Sequence, residues 1–231
     1  MRNFRLGTMN KVNKLTTVFW DFDGTLVNTN DVILGSFQAT YKHYLGEEKP
    51  VEYLTRFFGE PLTVTMEREF PDIDPEGPIE YYRAYQRENA ENMVKVIPGI
   101  PELIKELDRL GIRQYIVTSR TRESTLRYLN MFDMAGYFID MVSCDDDVKP
   151  KPDADPALKA LAKAGCGKDQ VMMIGDGLYD IKCANGAEIP SCLVGWRITG
   201  DTNDRVGDAT WDYYTETVQD LRDLLIELMG E

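Results

Sequence analysis

From Gly99 onwards the chain alternates between short apolar runs and longer stretches with helical period. Strands are predicted at Gln114–Thr118, Phe138–Ser143, Val171–Ile174 and Ser191–Val194, with a weaker one at Ala209–Trp211. Helices are predicted at Pro101–Leu110, Arg122–Met131, Asp155–Ala164, Leu178–Ala187 and Val218–Leu228. A chain with this rhythm can bury both faces of a parallel sheet whose crossovers are right-handed. Thr17–Asp21 supplies one more strand far upstream, and everything from Asn30 to Met93 reads as helical, including Asp31–Tyr44, Leu54–Phe58, Leu62–Phe70 and Pro75–Asn92. The fold class is therefore α/β: a doubly wound parallel sheet interrupted after its first strand by a helical insert. Residues 16–28 and 96–231 form the expected core, 29–95 the insert, and 1–15 a flexible extension.

The first strand ends in Asp21-Phe22-Asp23-Gly24-Thr25-Leu26. Open α/β sheets bind ligands beyond the carboxyl ends of their strands, which is where Asp21 falls. A carboxylate of ordinary pKa, ~3.9, is ionised at neutral pH and needs no base to act as a nucleophile. Asp23, two residues on, shares its face of the pleat and is suited to proton transfer. Gly24 frees the backbone to turn.

Other strand ends add candidates: Thr118-Ser119, Lys149 in Val148-Lys149-Pro150-Lys151-Pro152-Asp153, and Asp176 and Asp180 in Gly175-Asp176-Gly177-Leu178-Tyr179-Asp180. Taken singly, these could be a helix N-cap, a stiff proline-rich connection and a strand-end turn. Parallel topology instead lays them along one edge. Like charges ~4 Å apart repel by about 1 kcal/mol in water and about 4 kcal/mol near a protein surface, so converging carboxylates need cations. Oxygen donors suit a hard ion such as Mg²⁺, Lys149 supplies a point charge, and the Thr118 hydroxyl with the following helix-start amides can hold an anion.

DFDGTLVNT, IVTS, VKPKPD and GDGLYD, in this order, closely resemble the four motifs of the haloacid dehalogenase-like (HAD) superfamily, in particular its phosphatases with a helical cap after the first motif. The resemblance runs from about Thr17 to the C-terminus and implies a Rossmann-like HAD core. It implies that Asp21 forms an aspartyl-phosphate and that Asp23 protonates the leaving group, then activates water. Thr118 and Ser119 would bind the phosphoryl group, and Lys149 would neutralise charge. Asp21, the Asp23 carbonyl, Asp176 and Asp180 would hold Mg²⁺. Asp23 favours phosphate chemistry over dehalogenation, while Asn28 stands where an aspartate is common. Phe58-Gly59-Glu60-Pro61-Leu62 and the Pro98-Gly99 hinge are similar to the phosphoglycolate phosphatases and related bacterial pyrophosphatases. Arg56, Glu60, Arg83, Gln86 and Arg87 are the expected substrate contacts of the cap, and its two crossings beside the first motif suit a lid. The implied activity is Mg²⁺-dependent hydrolysis of a small, phosphoglycolate-like monoester. The alternatives are a pyrophosphatase or sugar-phosphate mutase of the same superfamily, or a non-catalytic phosphate-ligand binding protein.

Composition narrows the partners. A net charge of −13 argues against nucleic acid or an anionic membrane as the main partner. The partner the resemblance implies is a small phosphorylated substrate, with the chain expected as a monomer or homodimer. No apolar run approaches the ~20 residues of a membrane span. Met1–Lys14 is basic but lacks the apolar core of a secretory signal, and Met9 is an alternative start. Cys144, Cys166, Cys183 and Cys192 show no metal-like spacing with the single His43, so they read as reduced thiols of a cytoplasmic protein, with His43 on a helix face.

Overall fold

The computed structural model describes residues 11–196 and 209–230. The chain divides into two compact units, Met1–Leu26 with Val96–Glu231, and Val27–Lys95.

The larger unit contains β1 (Thr17–Trp20), α5 (Ile100–Arg109), β4 (Arg113–Val117), α6 (Arg122–Met131), β5 (Asp140–Val142), α7 (Asp155–Ala164), β6 (Val171–Gly175), α8 (Leu178–Ala187), β7 (Ser191–Val194), β8 (Tyr213–Thr215) and α9 (Val218–Met229). The six strands pair in the order β5-β4-β1-β6-β7-β8, all parallel. The chain first builds outwards from β1 through β4 to β5, then returns to β6 on the other side of β1. This reversal places a topological switch point beside the end of β1, where doubly wound sheets form a crevice.

The central strands β1, β6 and β7 are buried throughout because both of their faces are covered. Phe19, Tyr115, Val117 and Met173 pack with Ala157, Ala160, Cys183 and Ala184 of α7 and α8. Trp20 and Gln114 face the other way. The Trp20 indole N–H donates to Gln114 Oε1 (3.2 Å), and Gln114 Nε2 donates to the Ile104 carbonyl of α5 (3.0 Å), so a buried polar chain ties α5 to the sheet. α5 buries Leu103, Ile104 and Leu107 at helical spacing, each worth roughly 1.5–3 kcal/mol on burial. It starts at Gly99, whose φ of 87° a side chain would oppose.

Several boundaries differ from expectation. The weak strand expected at Ala209–Trp211 lies at Tyr213–Thr215, where Tyr213, Tyr214 and Thr215 pair with Cys192, Leu193 and Val194. Of the expected 1–15 extension, residues 1–10 lie outside the described residues. Its end is tied down: Leu15 is buried, its N–H donates to the Leu228 carbonyl (2.9 Å), and Asn13 N–H donates to Asp169 O (2.8 Å). The four cysteines are free thiols, and burial pushes those of Cys183 and Cys192 up to about 12. Among the described residues no helix is long and apolar enough to cross a membrane.

The smaller unit comprises α1 (Asn30–Leu45), α2 (Val51–Leu54) running into a 3₁₀ turn, α3 (Leu62–Glu69) and α4 (Glu76–Met93). The short strands β2 (Val27–Asn28) and β3 (Lys95–Val96), where the insert begins and ends, pair with each other and were not expected from sequence. Phe37, Tyr41, Phe57, Met66, Phe70 and Tyr82 form its core. His43 stacks on Tyr81, centroids 4.2 Å apart.

Glu69 is the polar hub of this unit. The hydroxyls of Tyr41 (2.5 Å) and Tyr53 (2.6 Å) donate to its Oε2, and Arg68 Nε donates to Oε1 (2.9 Å). Burial acts to raise the Glu69 pKa, but these hydrogen bonds outweigh it and hold the carboxyl below its ordinary value. A carboxyl depressed in the folded state stabilises fully above its unfolded pKa, ~4.3, and that contribution is lost as pH falls through the folded value. Glu69→Ala is expected to lower stability by about 2 kcal/mol at pH 7, because the buried Tyr41 hydroxyl also loses its acceptor. Urea unfolding at pH 7 and at pH 3 checks this, with the gap from the parent narrowing at the lower pH.

Candidate active site

Asp21 directly follows β1, and its N–H extends the ladder by donating to Ile174 O (2.8 Å). The carboxyl group is 8% exposed. Its Oδ1 accepts from Lys151 Nζ at 2.6 Å, and Thr25 Oγ1 lies 3.4 Å from Oδ2. Lys151 Nζ also donates to Asp180 Oδ1 (2.6 Å) and to Val117 O (3.0 Å). All three ammonium protons are thereby used, which is how a lysine with a 3% exposed side chain can remain charged. Burial acts against that charge, but Asp180 and Asp21 outweigh it and raise the Lys151 pKa above its ordinary value.

The expected lysine was Lys149, and the structure corrects this. The Lys149 side chain is 75% exposed, and its Nζ lies 3.9 Å from Asp153 Oδ2. Lys151, two residues further along the same Lys-Pro-Lys-Pro segment, is the one that enters the core and meets Asp21. The two lysines have nearly identical neighbours in sequence, so composition alone did not separate them.

Asp180 lies in the first turn of α8, and its Oδ2 accepts the Gly177 N–H (3.2 Å). One side chain therefore both closes the helix start and holds the lysine. Carboxylate oxygens of Asp21, Asp176 and Asp180 lie within 4.8 Å of one another. Gly24, with φ of 82°, backs this group: a Cβ there would come 2.5 Å from Asp176 Oδ2. Burial is the largest influence on Asp21 and pushes its pKa up. Asp180 and Asp176 add to the rise and Lys151 opposes it, leaving the group well above its ordinary value. The ordinary carboxylate expected from sequence is thus not what these protein groups alone provide. Three carboxylates facing one ammonium carry an excess of two negative charges when ionised, which a divalent cation would cancel. The oxygen-only donor set suits a hard ion.

Asp23 does not belong to that trio. Its carboxylate is gripped by Arg120, with Nε 3.0 Å from Oδ2 and Nη2 2.8 Å from Oδ1. Arg120 was not singled out from sequence, although the need for cations at this edge and its place directly after Thr118-Ser119 were signals for it. Thr118 is buried at the end of β4, and its Oγ1 accepts the Arg120 N–H (3.1 Å), which leaves the hydroxyl proton for another acceptor. The N-cap of α6 is Thr121, so Thr118-Ser119 is not consumed in capping. Ser119 Oγ is buried without a hydrogen-bond partner among the described residues.

Within the helical unit, four of the five expected substrate contacts have partners of their own. Glu60 pairs with Arg68, Arg87 with Glu80, Gln86 Nε2 with the Tyr82 hydroxyl, and Arg56 stacks over Tyr53.

A buried lysine thus joins an aspartate at the end of β1 to one in the first turn of α8, at the sheet's switch point. The family model of haloacid dehalogenase-like hydrolases matches residues 18–194. The chain belongs to this family. Relatives align with this chain over nearly its full length. Pyrophosphatase PpaX of Halalkalibacterium halodurans is 31% identical, with 92% of this chain and 97% of that protein aligned. Pyrophosphatase PpaX of Bacillus velezensis is 30% identical over 90% and 95%. Among solved structures, a predicted phosphatase from Clostridium acetobutylicum superposes with a TM-score of 0.80 at 25% identity, covering 93% of this chain and 99% of that one. The chain is thus a haloacid dehalogenase-like hydrolase with an α/β core, and its acidic trio is a candidate divalent-metal centre.

Proposed function

We propose that this hydrolase is a Mg²⁺-dependent phosphatase working through an aspartyl-phosphate on Asp21. The observation that carries the reading is the Lys151 ammonium fixed between Asp21 and Asp180 beside Asp176. Asp21, Asp176 and the Asp23 carbonyl would hold the ion, with Asp180 supporting it. Bound there, Mg²⁺ would neutralise the carboxylates and offset charge on the transferring phosphoryl group.

The protein groups divide the remaining work. An Asp21 oxygen bonds to phosphorus as the ester P–O bond breaks, and Asp23 gives its proton to the departing oxygen. Water then attacks the same phosphorus and loses a proton to the Asp23 carboxylate. The Asp21–phosphorus bond breaks, releasing phosphate and restoring both aspartates. Lys151, with every proton engaged, acts as a fixed charge rather than as an acid. The Thr118 hydroxyl and Ser119 Oγ would donate to phosphoryl oxygens, a role supported by the free proton of the one and the unpartnered buried oxygen of the other among the described residues.

The substrate is a small phosphate compound. A phosphoglycolate-like monoester is one reading. The full-length relatives named pyrophosphatase PpaX favour inorganic pyrophosphate as the other. Phosphate release measured across pyrophosphate, phosphoglycolate, nucleotides and sugar phosphates decides between them, with one substrate expected to stand well above the rest. Chelation with EDTA is expected to abolish release, and added Mg²⁺ to restore it. Full turnover in rigorously metal-free buffer would exclude the metal role.

A further inference from the structure

The mechanism above gives Arg120 no part, yet its side chain is only 7% exposed and sits at the centre of the site. Its guanidinium meets both oxygens of Asp23, with Nε also 3.2 Å from Oδ1. Nη1 donates to Ser124 Oγ (2.7 Å) on α6. The guanidinium lies over the Tyr128 ring, 4.9 Å from its centroid, and 6.0 Å from that of Phe22. The Phe22 and Tyr128 rings stack with centroids 6.2 Å apart, so the arginine is walled on its flat side. Its backbone N–H meanwhile orients Thr118 Oγ1. A guanidinium held this way presents a planar fork, which fixes the plane and direction of a carboxylate and not just its charge. Asp23, by contrast, has a 30% exposed side chain on the loop after β1 and would otherwise sample several rotamers.

We infer that Arg120 is the positioning residue of this active site: it aims the Asp23 carboxylate at the leaving group by its side chain and sets the Thr118 hydroxyl by its backbone. This rests on the phosphatase reading above. The Ser124 hydroxyl and the Tyr128 and Phe22 rings hold Arg120 itself in place.

Proton donation matters most when the departing oxygen is basic. An alkyl phosphate needs Asp23 to protonate its alkoxide, whereas p-nitrophenolate leaves readily without it. kcat/KM reads the steps up to loss of the alcohol, so the two substrate types report on Asp23 separately from phosphate binding. Arg120→Met is expected to lower kcat/KM for an alkyl phosphate by about 10²-fold, and for p-nitrophenyl phosphate by under about tenfold, within the range of misplaced acid catalysis. The loss should fall on kcat with KM nearly constant. Arg120→Lys, which keeps the charge and loses the fork, should resemble Arg120→Met more than the parent. In Asp23→Asn, adding Arg120→Met should cost little more, since both act on one group.

Equal losses on both substrates, or a loss confined to KM, would assign Arg120 to phosphate binding and overturn the inference, as would parental rates. If Arg120→Met does not fold, Ser124→Ala removes only the anchor. It should show the same unequal losses at smaller size, and equal losses would again refute the role. The phosphatase reading has its own control: absence of Asp21-dependent phosphate release from either substrate by the parent protein would remove that reading rather than this one.

Discussion

Replacing Asp21 by Asn should eliminate turnover, with a loss of roughly 10⁴-fold or more for a nucleophile that acts as part of a unit. The amide fits the same volume but cannot attack phosphorus as a carboxylate. Folding should survive, because the substitution removes one of three clustered carboxylates and so relieves repulsion. A melting temperature equal to or above the parent's, together with absent phosphate release, is the expected pair of results. Retained release at more than a few per cent of the parental rate would show that another residue is attacked. Acid-quenched protein should carry phosphate on the parent chain during turnover and none on the variant.

The second large effect separates two lysines that stand two residues apart. Lys151→Met removes a buried cation from between Asp21 and Asp180. The expected loss of kcat is about 10²–10³-fold, comparable to deleting one preorganised donor from a charged transition state. Removing one partner of a buried charge group also typically destabilises by about 3–5 kcal/mol. Part of that should return when Mg²⁺ is added, since the ion offsets the same carboxylates. Lys149→Met, on an exposed side chain, should stay within about twofold of the parent in rate and melting temperature. The reverse ranking would restore the sequence-based assignment of Lys149.

The contrast between these lysines shows where sequence stops being informative. The helices Arg122–Met131, Asp155–Ala164 and Leu178–Ala187 and the strand Ser191–Val194 lie where periodicity put them, because an amphipathic helix or a doubly buried strand writes its environment into spacing. The sheet edge gathers Asp21, Asp176 and Asp180 because parallel topology places strand ends together whatever the loops do. The loop after β5 has no such rule. Whether Lys149 or Lys151 turns inward depends on the path of an irregular proline-rich segment, and both choices fit the same composition. Arg120 was missed for a related reason: it reads as one more surface cation until its tertiary partner, Asp23, is seen 97 residues away in sequence. Cap contacts such as Arg68 and Glu80 were equally invisible, since they satisfy the very residues that looked available for substrate.

The hydrogen bond from Leu15 to Leu228 has a practical corollary. Because all six strands run the same way, the segment entering β1 and the last turn of α9 meet at the amino edge of the sheet, opposite the Asp21 edge. Polypeptide attached upstream of Leu15 or downstream of Leu228 therefore departs from the rear of the core. Fusions and surface-tethering tags are best joined at these two places, at the edge of the sheet opposite Asp21.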